Sequence, residues 1–334
     1  MKNILITGCT GFVGSHILES FENNSDESIN IIASCRNKLK LNKEYQQNAL
    51  EGDLKDNNYI KKITKKADII CHTASWAELN GNIKNSQENF LFPTINLINQ
   101  AIENKVKRFI FLSAITSNPI VDNKLHTKLE LNKIWAHYAS IIRIEKYLEK
   151  VSEDKIEIII LRVGYFTGKN YSLGILPILL PRLKTHLVPW IENGNTTLPL
   201  VDGEDIAQSF KLASLVTLRN TFNTIDVVGK STPTVKEVFK YLNKKYKYPL
   251  PHFSVSYEIA YLFARFMRSL YKILPFDPLL VPSVVLLLEE TNSTNKKAKD
   301  ILGYMPKIDW KDSLDIQIEE MKIRQIKNMK MNLS

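Results

Sequence analysis

The sequence predicts an α/β fold with a doubly wound, mostly parallel sheet and a smaller C-terminal lobe. Three observations predict this fold. Short apolar strands alternate with amphipathic helices through the first half of the chain, and a glycine-rich turn separates the first strand from the first helix. The 334 residues, 44% hydrophobic and 24% charged, are enough for a substantial core and exclude an intrinsically disordered chain.

The predicted elements alternate regularly up to residue 165. The strands are predicted at residues 4–6, 29–34, 68–71, 108–112 and 156–161, and the helices at residues 14–23, 85–104 and 130–151. Prolines then interrupt an irregular stretch between residues 177 and 199. Two helices resume, one with Asp205 as its N-cap and one at Thr234, where Thr-Val-Lys-Glu fits a capping box.

The charge and cysteine content narrow the class of protein. The chain has 45 Lys and Arg against 35 Asp and Glu, a formal charge of +10, which by itself suits a nucleic acid, an anionic lipid or a phosphorylated ligand. The lysines are spread along the chain, which argues against nucleic acid. Three cysteines and no signal-peptide core predict reduced thiols in the cytoplasm. No apolar run is long enough for a transmembrane segment.

The strongest motif is Thr7-Gly8-Cys9-Thr10-Gly11-Phe12-Val13-Gly14, placed between the first strand and the first helix. Glycines there permit a tight turn and a close approach of the backbone to a pyrophosphate, and the helix amino terminus supplies amide donors. We therefore predict that a dinucleotide contacts Thr7, Gly8, Thr10, Gly11, Phe12, Val13 and Gly14.

With Thr7 included, this spacing resembles the short-chain dehydrogenase/reductase superfamily, in its extended branch of nucleotide-sugar epimerases, dehydratases and hydroxysteroid-type dehydrogenases. Further segments resemble the same family: Gly52-Asp53-Leu54, His72-Thr73-Ala74-Ser75, the segments 161–168 and 200–207, and the closing segment 296–306. The resemblance implies that Asp53 and Leu54 lie beside the adenine. It also implies that Thr73, Ala74, Ser75 and Tyr165 line the cofactor site.

The resemblance also implies a division of the chain. A dinucleotide-binding Rossmann domain is expected at residues 1–165, with residues 196–228 returning to it, and a substrate-binding lobe at 166–195 and 229–325. A homodimer is expected through the helices at 85–104 and 130–151.

The choice of coenzyme depends on the residues just after the second strand. An NAD site there uses a carboxylate on the ribose 2′-hydroxyl, whereas an NADP site uses a cation on the 2′-phosphate. The chain has Ser34-Cys35-Arg36-Asn37-Lys38, with a guanidinium and no carboxylate. We therefore predict NADP(H) in preference to NAD(H), with Arg36 on the phosphate; the alternative is an ordinary surface arginine.

The catalytic residues depart from the family pattern. The resemblance implies a tyrosine acid or base, a lysine four residues later, and a serine or threonine after the preceding strand. Tyr138 lies at a suitable distance, but Ile142 stands where the lysine is expected. Ala114 occupies the usual hydroxyl position, so Ser113 or Thr116 is the substitute. Either Tyr138 still works as the acid, or another residue such as His137, His72 or Tyr165 replaces it, or the site binds a dinucleotide without turnover.

The leading prediction is an NADP(H)-dependent oxidoreductase of the extended short-chain type, which transfers hydride to or from a secondary alcohol or ketone of a small molecule. One alternative is a nucleotide-sugar epimerase or dehydratase with tightly held NAD(P), and another is a non-catalytic NAD(P)-binding sensor or scaffold. The composition of the substrate lobe suits a lipophilic ligand or a sugar. No metal site is predicted, because the cysteines and histidines have no ligand spacing.

The stretch from Tyr257 to Lys272 is apolar and also carries basic residues. An ordinary core helix is the preferred interpretation. A helix lying on an anionic membrane, or a lid over the substrate pocket, is the alternative.

Overall fold

The computed structural model describes residues 1–22, 28–79, 81–118, 135–152, 156–171, 174–270 and 280–331. The strands in chain order are β1 (Lys2–Thr7), β2 (Ile29–Cys35), β3 (Leu50–Glu51), β4 (Ile69–His72), β5 (Arg108–Ala114), β6 (Glu157–Val163), β7 (Tyr165–Thr167), β8 (Trp190–Ile191), β9 (Leu200–Asp202), β10 (Phe222–Val227) and β11 (Ser254–Val255).

The helices follow the predicted alternation up to β6. They are α1 (Phe12–Glu22), α2 (Lys43–Gln46), α3 (Asn57–Thr64), α4 (Ile83–Ser86), α5 (Phe92–Glu103), α6 (Ala136–Val151), α7 (Ile175–Leu183), α8 (Gly203–Leu215), α9 (Val235–Tyr246), α10 (Tyr257–Leu270), α11 (Pro282–Leu286) and α12 (Trp310–Met331). A π-helical turn, Gln87–Leu91, joins α4 to α5, so the helix predicted at 85–104 is present with one π turn inside it. The part of the third predicted helix before residue 135 lies outside the described residues.

Seven strands form one parallel sheet in the order β3-β2-β1-β4-β5-β6-β10. The central strands are apolar and buried because helices cover both faces of the sheet, with one core cluster on each face. This is the Rossmann-type α/β fold that the alternation predicts. The strand order reverses between β1 and β4, and ligands of such sheets bind outside the carboxyl ends of the strands at that point.

A third apolar cluster is formed mainly by residues that follow β6 in the chain and draws on α7, α9 and α12. The predicted capping box of α9 is present: the Thr234 side chain accepts from the amide of Glu237, whose carboxylate accepts from Thr234. The predicted N-cap at Asp205 is wrong. Asp202 caps α8 by accepting from the Glu204 amide at 2.9 Å, because the helix begins three residues earlier than an N-cap at Asp205 would place it. Asp205 instead accepts from the amides of Lys307 and Ile308.

The prediction of an ordinary core helix after Tyr257 is wrong for half of its surface. Helix α10 buries Ala260, Tyr261, Ala264 and Met267, but large apolar side chains on its other side are exposed. Residues 271–279 lie outside the described part of the chain. Among the helices that the structure describes, none is both long enough and apolar enough to cross a bilayer.

Candidate active site

The glycine-rich turn between β1 and α1 closes tightly against the loop after β4. Gly8 has a φ of +72°, and a Cβ atom on it would lie 2.6 Å from the backbone nitrogen of Ala74. A Cβ atom on Gly14 would lie 2.3 Å from the carbonyl oxygen of Gly8. Only hydrogen fits at these two positions, so the conformation of the turn requires both glycines.

The amino terminus of α1 is open to a ligand. Thr10 and Gly11, which precede the helix, are both exposed. The amide of Gly11 donates to the Gly8 carbonyl at 2.9 Å, whereas the first amides of a helix have no acceptor within it. These amides and the positive end of the helix dipole form a cradle without side chains, which fits the pyrophosphate of a dinucleotide.

Phe12 and Val13 are also predicted to contact the dinucleotide, but their side chains point into the protein. The ring of Phe12 packs against Tyr171, with 4.4 Å between ring centroids, and against Phe166 at 5.8 Å. Val13 is buried in the core on the α1 face of the sheet. Their backbone amides, rather than their side chains, lie at the helix terminus.

A chain of buried hydrogen bonds supports the turn from beneath. The Thr7 hydroxyl is 2.7 Å from Nδ1 of His72, and Nε2 of His72 is 3.0 Å from the Thr94 hydroxyl. The Thr73 hydroxyl donates to the Thr7 carbonyl at 2.7 Å. Burial lowers the pKa of His72 to about 3, so its imidazole is neutral and fully engaged in structural hydrogen bonds. Ser75, two residues after Thr73, is exposed.

The carboxyl ends of β2 and β3 carry the residues predicted at the adenine end. Arg36 directly follows β2 and is exposed. Asp53 is also exposed and accepts from the Lys55 amide at 2.9 Å, while Leu54 packs partly buried on the core. Sequence reasoning missed Glu51, which is paired in register with Cys35 and accepts from the Lys38 amide at 3.3 Å.

Tyr138 lies on the first turn of α6, facing the segment that follows β5. Its hydroxyl donates to the backbone carbonyl of Thr116 at 2.8 Å, and the residue is 2% exposed. Burial raises the pKa of the phenol, and the carboxylates of Glu289 and Glu145 raise it further. The Thr116 hydroxyl is buried and has no hydrogen-bond partner in the part of the chain that the structure describes. The phenol is therefore protonated near neutral pH, with a second hydroxyl on the residue that it contacts.

Ser113 belongs to a buried ionic network beneath Tyr138. Its hydroxyl donates to Glu145, as does the hydroxyl of Ser117 at 2.7 Å. Arg162 donates to both carboxylate oxygens of Glu145, at 2.6 and 3.2 Å. Asn118 extends the network by accepting from Arg162 at 2.7 Å. Sequence reasoning missed Glu145, although its position seven residues after Tyr138 places the two on one helix face.

Ile142, which stands at the position expected for lysine, packs in a small apolar cluster. The cluster consists of Leu79, Trp135, Tyr138, Ile142, Leu286 and Leu287. Two of these leucines are Leu286, at the end of α11, and Leu287, the next residue. Two hydrogen bonds fix this segment: Ser283 donates to the Leu79 carbonyl at 2.7 Å, and Tyr165 donates to the Leu287 carbonyl. The hydroxyl of Tyr165 is thus engaged with this covering segment.

Two tyrosines elsewhere in the chain, Tyr165 and Tyr241, are followed by a lysine four residues later, but neither lysine lies beside Tyr138. Lys169, four residues after Tyr165, binds the carboxylates of Glu19 and Glu204, each at 3.2 Å. Lys245 does donate to Tyr241, at 3.3 Å, but both side chains bind Asp315 on α12. Neither pair replaces a lysine beside Tyr138.

His137 occupies a buried position between aromatic rings. Its ring centroid lies 5.0 Å from that of Phe90 and 5.5 Å from that of Trp135. Burial lowers its pKa to about 4, so the imidazole is neutral. This environment is that of a packed histidine.

The structure therefore brings the predicted residues together in two groups at the carboxyl edge of the sheet. One group surrounds the glycine turn and the ends of β2 and β4. The other contains Tyr138, Thr116 and Ser113 at the end of β5.

Comparison with known proteins places the chain in a family. A family model described as the NAD dependent epimerase/dehydratase family matches residues 4–220, more than half of the chain. No curated protein sequence matches significantly.

Solved structures with the same fold cover nearly the whole chain. UDP-glucose 4-epimerase from Thermotoga maritima, in a structure with UDP-glucose, has a TM-score of 0.68 and 18% identity over 97% of this chain and 99% of its own. UDP-glucuronic acid 4-epimerase from Bacillus cereus, in complex with UDP-glucuronic acid and NAD, has a TM-score of 0.69 and 17% identity over 96% and 99%. UDP-glucose 4-epimerase from Thermus thermophilus, in complex with NAD, has a TM-score of 0.66 and 16% identity over 96% and 99%. These likenesses establish the fold.

Proposed function

This chain belongs to the NAD dependent epimerase/dehydratase family, and on that premise we propose that it is an NADP(H)-dependent oxidoreductase acting on a ketone or secondary alcohol of a small molecule. The observation that carries the proposal is the glycine turn, whose side-chain-free cradle at the start of α1 fits a pyrophosphate. A bound nicotinamide coenzyme supplies the hydride in such a reaction. The amides at residues 12–14, the ends of β2 and β3, and the loop after β4 would hold it.

The Tyr138 phenol can serve as a proton donor. Burial raises its pKa, so it keeps its proton near neutral pH, as the acid in the reduction of a ketone must. In the proposed reaction the Tyr138 hydroxyl exchanges its acceptor, the Thr116 carbonyl, for the substrate oxygen and donates its proton there. The unpartnered Thr116 hydroxyl is the second donor available to the same oxygen within the described part of the chain.

The side chains beside Tyr138 favour an apolar substrate. Leu79, Leu286 and Leu287 surround it, and a sugar would leave its hydroxyl groups without partners against such a wall. We therefore place a lipophilic ketone ahead of a nucleotide sugar as the substrate class.

Coenzyme choice is the first test. The exposed guanidinium of Arg36 after β2 supports NADP(H), although Glu51 lies on the neighbouring strand. NADPH should raise the melting temperature more than NADH does, and Arg36→Ala should weaken NADPH binding by about tenfold while sparing NADH, an effect in the range of one charged hydrogen bond. Arg219→Ala, at another exposed arginine, is the control. Equal responses to both coenzymes would remove the NADP(H) preference, and no response would remove the cofactor proposal.

A second candidate function is a dinucleotide-binding protein without turnover. The packing of Ile142 among leucines favours it, because the cation expected beside the tyrosine is replaced by an apolar side chain. Ile142→Lys tests the choice with a panel of lipophilic ketones and NADPH. Turnover that appears only in the variant would support the non-catalytic protein, whereas turnover by the wild type would exclude it.

The epimerase alternative makes a different prediction about the coenzyme. An epimerase returns the hydride to the same substrate and keeps its coenzyme through the cycle. Nicotinamide that remains with the purified protein through gel filtration would favour an epimerase, and its absence would favour the dissociable coenzyme of the leading proposal.

A homodimer through α5 is part of the proposal. Phe92, at the start of α5, is 55% exposed, and Ile83 on α4 is 37% exposed. Apolar side chains on this layer suit a helical interface. Phe92→Lys should shift a dimer to monomer in sedimentation velocity, while a wild-type monomer would contradict the proposal.

A further inference from the structure

Helix α10 exposes a stripe of large apolar side chains to solvent, while its opposite side packs on the protein. Ile259, Leu262, Phe263 and Phe266 are 57%, 63%, 44% and 59% exposed, and we refer to these four residues as the α10 face. They recur at i, i+3, i+4 and i+7, so they form one continuous stripe. The opposite side of the helix is buried through Ala260, Tyr261, Ala264 and Met267.

The helix is thus apolar on both sides, whereas a solvated surface helix turns a polar side outward. Single exposed apolar residues are ordinary, but contiguous patches mark surfaces that bind something. Two further apolar side chains are exposed shortly before the two paired strands β8 and β11: Leu187 at 59% and Phe253 at 51%.

Charge selects the occupant. Arg265 is exposed beside the stripe, whereas Arg268 lies on the opposite side of the helix and is partly exposed; the one acid of α10 is Glu258, in the first turn. The whole chain carries a formal charge of +10. Helices that lie in a membrane interface combine an apolar stripe of Phe and Leu with flanking cations that attract anionic headgroups. We propose that the α10 face docks on the surface of an anionic lipid bilayer, with its four side chains in the headgroup boundary and Arg265, beside the stripe, among the phosphates.

A second copy of the chain is a poorer occupant. A stable interface draws on about 20–30 residues per side, and the α10 face offers four on one helix. A bilayer accepts so narrow a surface because it needs no complementary shape.

The docking surface is connected to the candidate active site through one helix. Tyr257 at the start of α10 donates to the Val285 carbonyl of α11 at 2.8 Å. Leu286 of α11 packs against Tyr138. A docked α10 would thus hold the covering segment of the site next to the bilayer, from which a lipophilic molecule can be drawn.

Vesicle co-sedimentation of the full-length protein tests the docking independently of coenzyme binding and turnover. The vesicles consist of equal parts of phosphatidylcholine and phosphatidylglycerol, with phosphatidylcholine alone for comparison. The wild type should sediment with the anionic vesicles, and Leu262→Ser combined with Phe266→Ser should weaken binding by about tenfold or more, because each buried Leu or Phe is worth about a decade in affinity. Met305→Ser, at an apolar residue 66% exposed elsewhere, is the matched control.

A second variant separates charge from apolar contact. Arg265→Glu keeps the α10 face and should reduce binding to the anionic vesicles, with melting temperature confirming that each variant folds. Failure of the wild type to bind, or equal binding by the wild type and the double serine variant, would overturn the proposal. A wild-type dimer that the double variant abolishes in sedimentation velocity, without vesicle binding, would assign the face to a second copy instead.

Discussion

The phenol oxygen of Tyr138 lies 2.8 Å from the carbonyl oxygen of Thr116 and donates its hydrogen bond there. This contact joins the first turn of α6 to the segment after β5, although the two residues are 22 positions apart in the chain. It holds the phenol against the residue that carries the buried Thr116 hydroxyl. Ile142, one helix turn after Tyr138, stands where the family resemblance implies a lysine. The pair of Tyr138 and Thr116 is the centre of the proposed acid chemistry.

Removing the Tyr138 hydroxyl should abolish most turnover while sparing the fold. Tyr138→Phe loses one hydrogen bond, worth about 1 kcal/mol of stability, but it should lower kcat by about 10²-fold, the lower end of the range for a general acid. Loss of absorbance of NADPH with a reducible ketone is the measurement. Tyr147→Phe, on the same helix, is the control. An unchanged kcat in the Tyr138 variant would move the acid to another residue.

The glycine turn predicts a difference between two substitutions with the same backbone strain. Gly8 and Gly303 have φ values of +72° and +69°, but a Cβ atom at Gly303 meets nothing within 4 Å in the described part of the chain. Gly303→Ala should therefore lower the free energy of unfolding only because alanine disfavours a left-handed backbone conformation, by about 1–2 kcal/mol. Gly8→Ala adds the clash with Ala74 and should also abolish the NADPH-induced shift in melting temperature. Urea unfolding of both variants checks this, and equal losses would mean that the turn relaxes.

The buried ion pair of Glu145 and Arg162 should be costly to break from one side. Their side chains are 8% and 16% exposed, and Glu145→Ala would leave the guanidinium buried without its carboxylate. We expect a loss of about 3–5 kcal/mol in the free energy of unfolding, and partial recovery when Arg162→Met is added. Glu88→Ala removes the exposed pair with Lys84, 3.9 Å apart, and should cost less than about 1 kcal/mol. A small loss in both single variants would show that water enters the network.

Two buried histidines should make the fold sensitive to acid. The pKa values of His72 and His137 are lowered to about 3 and about 4 from 6.5, so below pH 6.5 the unfolded chain binds protons that the native chain does not. Stability therefore rises with pH in this window, and it is lost as pH falls from 6.5 toward 4, by about 1.4 kcal/mol per pH unit for each histidine. His137→Gln removes one of the two histidines, so the free energy of unfolding should change less steeply with pH, by about 1.4 kcal/mol per pH unit. Urea unfolding across this pH range measures the slope. The matched control is His186→Gln at an exposed position, and an unchanged slope in His137→Gln would contradict the assignment.

The sequence predicted the sheet well because its signals are local. Each main strand is a short apolar run bounded by turn residues, and the predicted bounds of β2, β4 and β5 agree with the structure within two residues. The capping box at Thr234 was predictable for the same reason, since all its atoms lie within four residues. The N-cap of α8 was not predictable in this way, because Asp202 and Asp205 are both suitable N-cap residues. Asp205 instead accepts from the amides of residues 307 and 308, which are distant in the chain.

Contacts between distant residues decided the site. The position of Tyr138 was predictable from its distance after β5, but its acceptor was not. Arg162 and Glu145 come from different elements, and the leucines of α11 that cover Ile142 come from a segment far later in the chain. The buried side of α10 was also beyond prediction, because the helix is apolar on both sides and periodicity cannot distinguish them.

The sequence by itself determined that this chain forms a parallel α/β sheet with a glycine-rich turn after its first strand, and that Ile142 stands where the family resemblance implies a lysine four residues after Tyr138. Those features depend on residue type, chain order and spacings of a few residues, all of which are read directly. Only the tertiary structure decided that Tyr138 donates to the Thr116 carbonyl, that Ile142 packs among leucines, and that α10 exposes a stripe of large apolar side chains. Each of these depends on which distant surfaces pack together, and packing is a property of the folded chain as a whole.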